Sequence, residues 1–455
     1  MVAQLPTELR IAEPERVRPP RWHPLARLVF RFAFVYVGVG MAGTWLVHAL
    51  IRTLWVPVQT VTEVARWLAL FPLTNWLGAH VFDAPTDYRV TGSGDTAAQW
   101  VSMVSWLLVA VIATAVWSLL DRRRADYRRL YEWFRLLLRV SLVSALLLYG
   151  MVKVLPTQMS FNLGRLVEPF GDLSPMGVLW AQTSVSEPYE IALGAAEVTA
   201  ALLLVLPRTA GLGAILAFIV TLQVALMNLT FDVPVKLFSL QLLAFSAVLA
   251  APDIRRIVAA LLGLAVPVRT TVPLLGVVRG NRLLVVLQAI FGVWLLFAAI
   301  SEANDGWHLY GSARPHSPLY GIWNITEFTS AGKELPAVVD FGDSEPNPAT
   351  IGSERFRRII FDVPEAVTIQ RMNDSQIAFY ARVDTDHHTI SLSADPAVRT
   401  TIAIFGYQQP QPDRLILDGS LGGRSVHMAL EAVDLNRYPV VARGFHWVQP
   451  APYLR

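Results

Sequence analysis

The sequence contains no cysteine. Thiol–disulfide exchange, thiolate-ligated iron–sulfur clusters and disulfide staples are therefore excluded. Charge is also scarce. Asp, Glu, Lys and Arg make up 16% of the chain, against about a quarter in soluble domains. The net charge of +3 is too small to specify a partner. Nucleic-acid binding has no support, because the arginine clusters flank apolar runs and do not line a polar face. Of nine histidines, only His48 falls in a predicted span, which argues against a haem held between two intramembrane histidines. No cleavable signal is apparent, since residues 1–27 are rich in Pro and Arg and too polar. They read as a cytoplasmic tail, and the first apolar run reads as an uncleaved anchor.

What is abundant is apolar: 54% of the 455 residues. A spanning helix needs about 20 apolar residues. Seven spans are predicted, near 28–50, 100–120, 133–154, 189–206, 209–229, 235–251 and 283–300. Together they define a transmembrane helical domain over 28–300. Positive charge sets direction. Arg16, Arg18, Arg21, Arg27 and Arg31 sit at the start of the first span. Arg122–Arg124, Arg128 and Arg129 fill the loop before the third, and Arg208 marks the turn after the fourth. Arg255, Arg256, Arg269, Arg279 and Arg282 lie between the sixth and seventh. A cytoplasmic N-terminus puts all of them on one side and the C-terminal domain outside. The segment 54–82 carries Glu63, Arg66, Pro57, Pro72 and several Trp, so it reads as an outer-surface helix pair. The segment 254–280 reads as a surface helix on the inner side, and TGSGDT at 91–96 as a loop into the second span.

After a linker at 301–320 the pattern alternates. Runs at 321–328, 356–361, 366–372, 376–383, 389–393, 399–406, 414–418 and 425–431 predict eight antiparallel strands joined by short turns. Eight strands close around a filled interior or one small ligand. Gly321–Trp323 resembles the G-x-W opening of lipocalin-like barrels, which implies a Trp plugging the base and a late Arg over it, here Arg443. His387 and His388 fall in a predicted hairpin tip, and no metal site is predicted.

The stretch NLTFDVPVKLFSLQLLAF at 228–245 places ionisable groups between two apolar runs. Asp232 is expected to cap the sixth span, with Pro234 in its first turn. Lys236 then opposes the helix dipole and needs a carboxylate. Lys153 and Tyr149 share a face near the outer end of the third span. Glu190 and Glu197 share a face on the fourth, and Glu197 lies about 13 Å below its outer end at helical rise. Asn228 and Gln241 complete the set. Intramembrane ionisable residues are functional candidates by default. Glu197, Lys153 and Lys236 are expected to converge, either as a site or as a strut between helices.

YGMVKVLPTQM (149–159), FGDLSPMGVLW (170–180), YEIALGAAEVTAALLLVLPRTAGLGA (189–214) and MNLTFDVPVKLFS (227–239) resemble the DoxX-like membrane proteins over roughly 130–255. RGFHWVQPAPYLR (443–455) resembles the end of a bacterial subset with an appended β-domain. The resemblance implies a bundle that binds membrane lipids in the bacterial inner membrane. It also implies a redox protein partner and a quinone, with Glu197 exchanging protons and Lys153 polarising a carbonyl. Tyr149, Glu190, Asn228, Asp232, Lys236 and Gln241 would then line the ligand site. The alternative is a non-enzymatic module that binds lipid or a protein through bundle and barrel. Coarse architecture is also similar to vitamin-K-dependent carboxylase, a bundle with an external β-domain. The fold class expected in every case is an α-helical membrane bundle followed by an all-β, lipocalin-like meander or barrel.

Overall fold

The computed structural model describes residues 21–54, 56–87, 91–266, 272–338, 354–395 and 401–454. Arg16, Arg18, Arg269 and the first two residues of the predicted strand 399–406 lie outside them, as does most of the predicted N-terminal tail. Among the described residues, seven helices are long and apolar enough to cross a membrane. An antiparallel barrel follows. The chain is a polytopic membrane protein with an appended β-barrel domain. Its residues group into two compact units, Met1–Leu142 with Ala244–Leu287, and Val143–Leu243 with Gln288–Arg455.

The first unit begins with helix α1 (Pro24–Arg52). Its middle, Phe34–Gly43, is wound as a π-helix. Two glycines in that stretch bring neighbouring side chains close. A Cβ on Gly40 would stand 2.8 Å from the Trp106 ring, and one on Gly38 3.0 Å from Phe134. Ser141 Oγ donates to the Ala42 carbonyl at 2.8 Å, serving an acceptor of the widened helix. At the arginine-rich end, Arg31 is buried. Its guanidinium donates to Tyr127 Oη, Ser118 Oγ and the Asp121 carbonyl at 2.8–2.9 Å. Trp22, Phe30, Tyr127, Tyr131 and Phe134 pack around it edge-on and tilted. The segment predicted as an outer helix pair is a pair, α2 (Val58–Leu68) and α3 (Phe71–Leu77), each too short to span. Residues 91–96 form the expected loop. Thr96 ends it with a capping box to Gln99 that starts α4 (Ala97–Leu120).

Helix α5 (Arg128–Val154) runs from the first unit into the second. There it meets α6 (Pro175–Ser184), α7 (Glu187–Val205), α8 (Ala210–Thr230), the start of α9 (Lys236–Leu261) and most of α10 (Val278–Leu309). Two boundaries differ from expectation. The segment 254–261 is not a separate surface helix, because α9 continues through Pro252 to Leu261. The predicted linker 301–320 is helical as far as Leu309. The polar residues Ser301, Glu302 and Asn304 end the apolar run without ending the helix.

The barrel strands are β1 (Gly321–Ser330), β2 (Phe356–Phe361), β3 (Ala366–Arg371), β4 (Gln376–Asp384), β5 (Thr389–Ser393), β6 (Thr401–Gln411), β7 (Arg414–Leu421) and β8 (Arg424–Ala432). Each pairs with its sequence neighbour, and β1 also pairs with β8, so no edge is left open. Register runs Trp323↔Ile359 on one side of β1 and Phe328↔Met428 on the other. A bulge between Ile325 and Glu327 shifts the phase, which is why Ile325 and Phe328 both face the core. Lys333–Glu334 folds back on the end of β1 through Ala331 and Gly332, both at positive φ, as a two-residue hairpin requires. Trp323, Phe328, Phe356, Phe361, Phe379 and Phe405 pack inside with aliphatic side chains from every strand. The interior is a filled core. Trp323 is 3% exposed and its indole N–H donates to the Leu319 carbonyl at 2.9 Å. Arg443 does not take the expected place over it, and stacks on Tyr453 at 4.2 Å with a bond to Gln449.

Candidate functional site

Helices α5 and α7 cross where both carry glycine. A Cβ on Gly194 would stand 2.5 Å from the Gly150 carbonyl and 2.8 Å from the Val154 backbone nitrogen. Only glycine permits this approach, because the obstacles are backbone atoms. The close crossing brings Lys153 and Glu197 together. Lys153 Nζ lies 3.1 Å from Glu197 Oε2, with the side chains 9% and 5% exposed. The same ammonium donates to the Tyr149 carbonyl at 3.1 Å. Each charge is thus met by its opposite, as a low-dielectric interior demands.

Seven residues before Glu197, Glu190 is 1% exposed. Its Oε1 accepts the Met159 backbone N–H at 3.2 Å, and it lies in the field of Lys153. Two buried carboxylates therefore lie on α7, one paired with Lys153 and one held by the Met159 backbone. Tyr149 tilts its ring against Phe238 at 5.8 Å. Asn228 is buried, and Gln241 is half-buried on α9.

The turn that contains Asp232 is built differently from expectation. Asp232 takes φ +53° and does not begin the sixth span. It is the left-handed residue that closes the fifth: the Val233 N–H bonds back to the Asn228 carbonyl at 3.0 Å, a Schellman closure. Helix α9 starts only at Lys236, so Pro234 precedes its first turn and is not part of it. Lys236 Nζ pairs with Asp232 Oδ1 at 2.7 Å, and Asp232 is 80% exposed. Of the three groups expected to converge, Lys153 and Glu197 form a buried pair, and Lys236 pairs with the exposed Asp232. The reason is spacing. An i,i+4 carboxylate lies within reach of Lys236 on its own turn.

Sequence reasoning missed the seat of the barrel. The segment after α5 carries a short 3-10 turn, Leu163–Leu166. Leu163 packs with Ile322, Ile360 and Val433 on the outer wall of β1 and β2. Arg314 donates to both oxygens of Asp362 at 3.0 and 3.1 Å and to the Phe161 carbonyl at 2.8 Å. Asp362 also accepts the Leu163 N–H at 3.3 Å. Gln370 and Gln376 donate to the Val167 and Gly164 carbonyls at 2.8 and 2.9 Å. Beside this seat, burial pushes the Tyr320 phenol up, with Asp362 adding to the effect and Arg314 opposing it. The bonds from this segment to Arg314 and the barrel join residues 153 to 212 positions apart, and the signal in the sequence is the apolar Ile322 and Ile360 at strand positions facing away from the core. At the hairpin tip His387 Nδ1 meets Asp384 Oδ2 at 3.0 Å, and among the described residues no group of three or more His, Asp or Glu side chains is gathered as metal ligands would be.

Comparison with known proteins adds little chemistry. No family model matches the chain. It is 29% identical over 143 residues to a protein of Bacillus subtilis (strain 168) described as uncharacterized protein YwoB, a match covering 30% of this chain and 83% of that protein. No solved structure matches.

Proposed function

We propose that this chain is a DoxX-like protein of the bacterial inner membrane that acts as a non-enzymatic module, its bundle holding an extracytoplasmic barrel for a protein partner. The observation that supports this is the seat. Arg314, Asp362, Gln370 and Gln376 fix the barrel wall to backbone groups of the segment that follows α5. A filled barrel interior favours recognition by the outer surface over capture of a small ligand inside. In this reading the N-terminus is cytoplasmic, because the arginine clusters then share the cytoplasmic side. The absence of native cysteine makes that part directly testable. Cys introduced at Ser420 should react with an impermeant maleimide in spheroplasts, and Cys at Arg123 should not. Reversed or equal labelling refutes the orientation.

The functional test is purification of the full chain from its native membrane, with bound quinone quantified and co-purifying proteins identified. A stoichiometric protein partner without quinone supports the module. A second reading, a quinone-interacting redox subunit, is favoured by one observation: Lys153 pairs with Glu197, and a second buried carboxylate, Glu190, stands two helical turns away on the same helix. An excess carboxylate of that kind suits proton exchange with a reduced quinone. Quinone retained by the wild type and lost in Glu197→Gln, with the fold intact, would replace the first reading by the second.

A further inference from the structure

The loop that follows the barrel is folded with its apolar side chains outside. Arg443 is its hub: the guanidinium stacks on Tyr453 at 4.2 Å and bonds to Gln449 at 3.0 Å. Gly444, at φ +63°, turns the chain away from a single helical turn, Pro439–Ala442. The bonds that shape the loop are thus made by polar groups, and the large apolar side chains are left over. Phe445 and Trp447 meet edge-on at 5.0 Å and are 78% and 90% exposed. Val440, Val441, Val448 and Leu454 are exposed with them. A surface in water rarely presents so many large apolar side chains together.

Position and composition identify what covers them. The loop starts from the seat, where Leu435 and Tyr438 pack on the cluster of Leu163, Ile322, Ile360 and Val433. The seat lies close to the ends of the spans. Helix α5 has 27 residues and is about 40 Å long, the thickness of a bilayer with its headgroups, and Leu163 follows soon after its last residue, Val154. A Cβ on Gly311 would stand 2.5 Å from the Pro156 carbonyl, so the C-terminal ends of α5 and α10 lie side by side. Just past those ends Phe170, Leu309 and Tyr310 are exposed too, as aromatic and aliphatic side chains at headgroup level are. The loop continues this tier with Trp, Phe and Tyr, the residues of membrane interfaces. Residues 435–455 carry Arg437, Arg443 and Arg455 and no Asp or Glu, the charge that suits an anionic lipid surface.

We propose that residues 440–454 are an interfacial anchor: Phe445 and Trp447 insert among the lipid headgroups of the leaflet on the barrel's side, and Arg443 holds the loop in the shape that presents them. The anchor ties the seat end of the barrel to the bilayer. It leaves the opposite end, where Ser330 pairs with Val426 and Ser420 with Ser425, in water. This holds for either orientation of the chain in the membrane and does not depend on a protein partner of the barrel.

With no native cysteine, a single introduced one reports depth. The full chain carrying Val448→Cys or Ser420→Cys is labelled with a fluorophore and placed in nanodiscs of phosphatidylcholine and phosphatidylglycerol, a fraction of the lipid bearing a nitroxide on its headgroup. Quenching at position 448 should exceed that at position 420 by about threefold or more. Phe445→Ser with Trp447→Ser should lower it to the level at 420 with the melting temperature unchanged, because both side chains are already exposed. Equal quenching at the two positions overturns the proposal and assigns the loop to a protein partner, which the nanodiscs do not supply. Quenching at 448 that survives the double substitution also overturns it, since the loop would then be near the bilayer by its tether alone. If the double variant fails to fold, Trp447→Gln by itself decides: quenching should fall about twofold, and an unchanged value refutes the anchor.

Discussion

Replacing Gly194 by Ala sets two effects against each other. Alanine is the better helix former by about 0.8–1 kcal/mol, and nothing in the backbone of α7 at this position requires glycine. Propensity alone therefore predicts a more stable protein. Packing predicts the opposite. The new methyl would lie 2.5 Å from the Gly150 carbonyl, 2.7 Å from Lys153 Cβ and 2.8 Å from the Val154 nitrogen. Two of those three are backbone atoms that cannot rotate away, so α5 and α7 must separate by roughly 0.5–1 Å to restore van der Waals distance. Overpacking of this kind costs about 1–3 kcal/mol. Separation also stretches Lys153–Glu197 from 3.1 Å toward the limit of an ion pair, and complete loss of a buried pair costs about 3–5 kcal/mol. With partial loss, the net expectation is destabilisation of about 2 kcal/mol. Gly150→Ala is the comparison. Its methyl would meet the Val198 Cγ2 at 2.8 Å, a movable side-chain end, with the backbone no nearer than 3.1 Å. It should cost less. Reversible unfolding in mixed detergent micelles reads both. A Gly194→Ala protein as stable as wild type, or more stable than Gly150→Ala, would refute the close crossing as the device that holds the pair.

Three further outcomes follow from the geometry. Asp362→Asn keeps shape but removes the charge facing Arg314, which is 10% exposed; a loss of about 2 kcal/mol is expected, seen as faster proteolysis at Arg165 and a lower melting temperature. Trp323→Ala opens a cavity in the barrel core and should cost about 3–5 kcal/mol, measured as loss of cooperative β-domain unfolding in the full chain. Asp232→Gly should change stability by less than about 1 kcal/mol, because glycine suits φ +53° while an exposed ion pair is worth little. Asp232→Val, with a branched side chain in the left-handed region, should cost about 1–2 kcal/mol. Equal melting temperatures for these two variants would contradict the Schellman closure.

Much of the architecture follows from local chemistry. The seven spans are legible because an apolar run of about 20 residues is a local property. The eight strands are legible because alternation and Gly-rich turns are local too, and each predicted run overlaps one observed strand. Lys153 and Glu197 were expected to meet because a buried charge must be paired, and helical periodicity put each near the right depth. Where the sequence misled, a neighbour decided. Asp232 looks like a helix cap, yet the demand of α8 for a left-handed closing residue came first. Lys236 pairs with that same Asp232, four residues before it. The helix ending at Leu309 and the continuation past Pro252 show that polarity marks where a span leaves the membrane and not where a helix stops. The Gly150–Gly194 approach and the polar bonds of Arg314, Asp362, Gln370 and Gln376 at the seat have no signature in the chain. Each joins groups far apart in sequence, and only tertiary packing determines which of them touch.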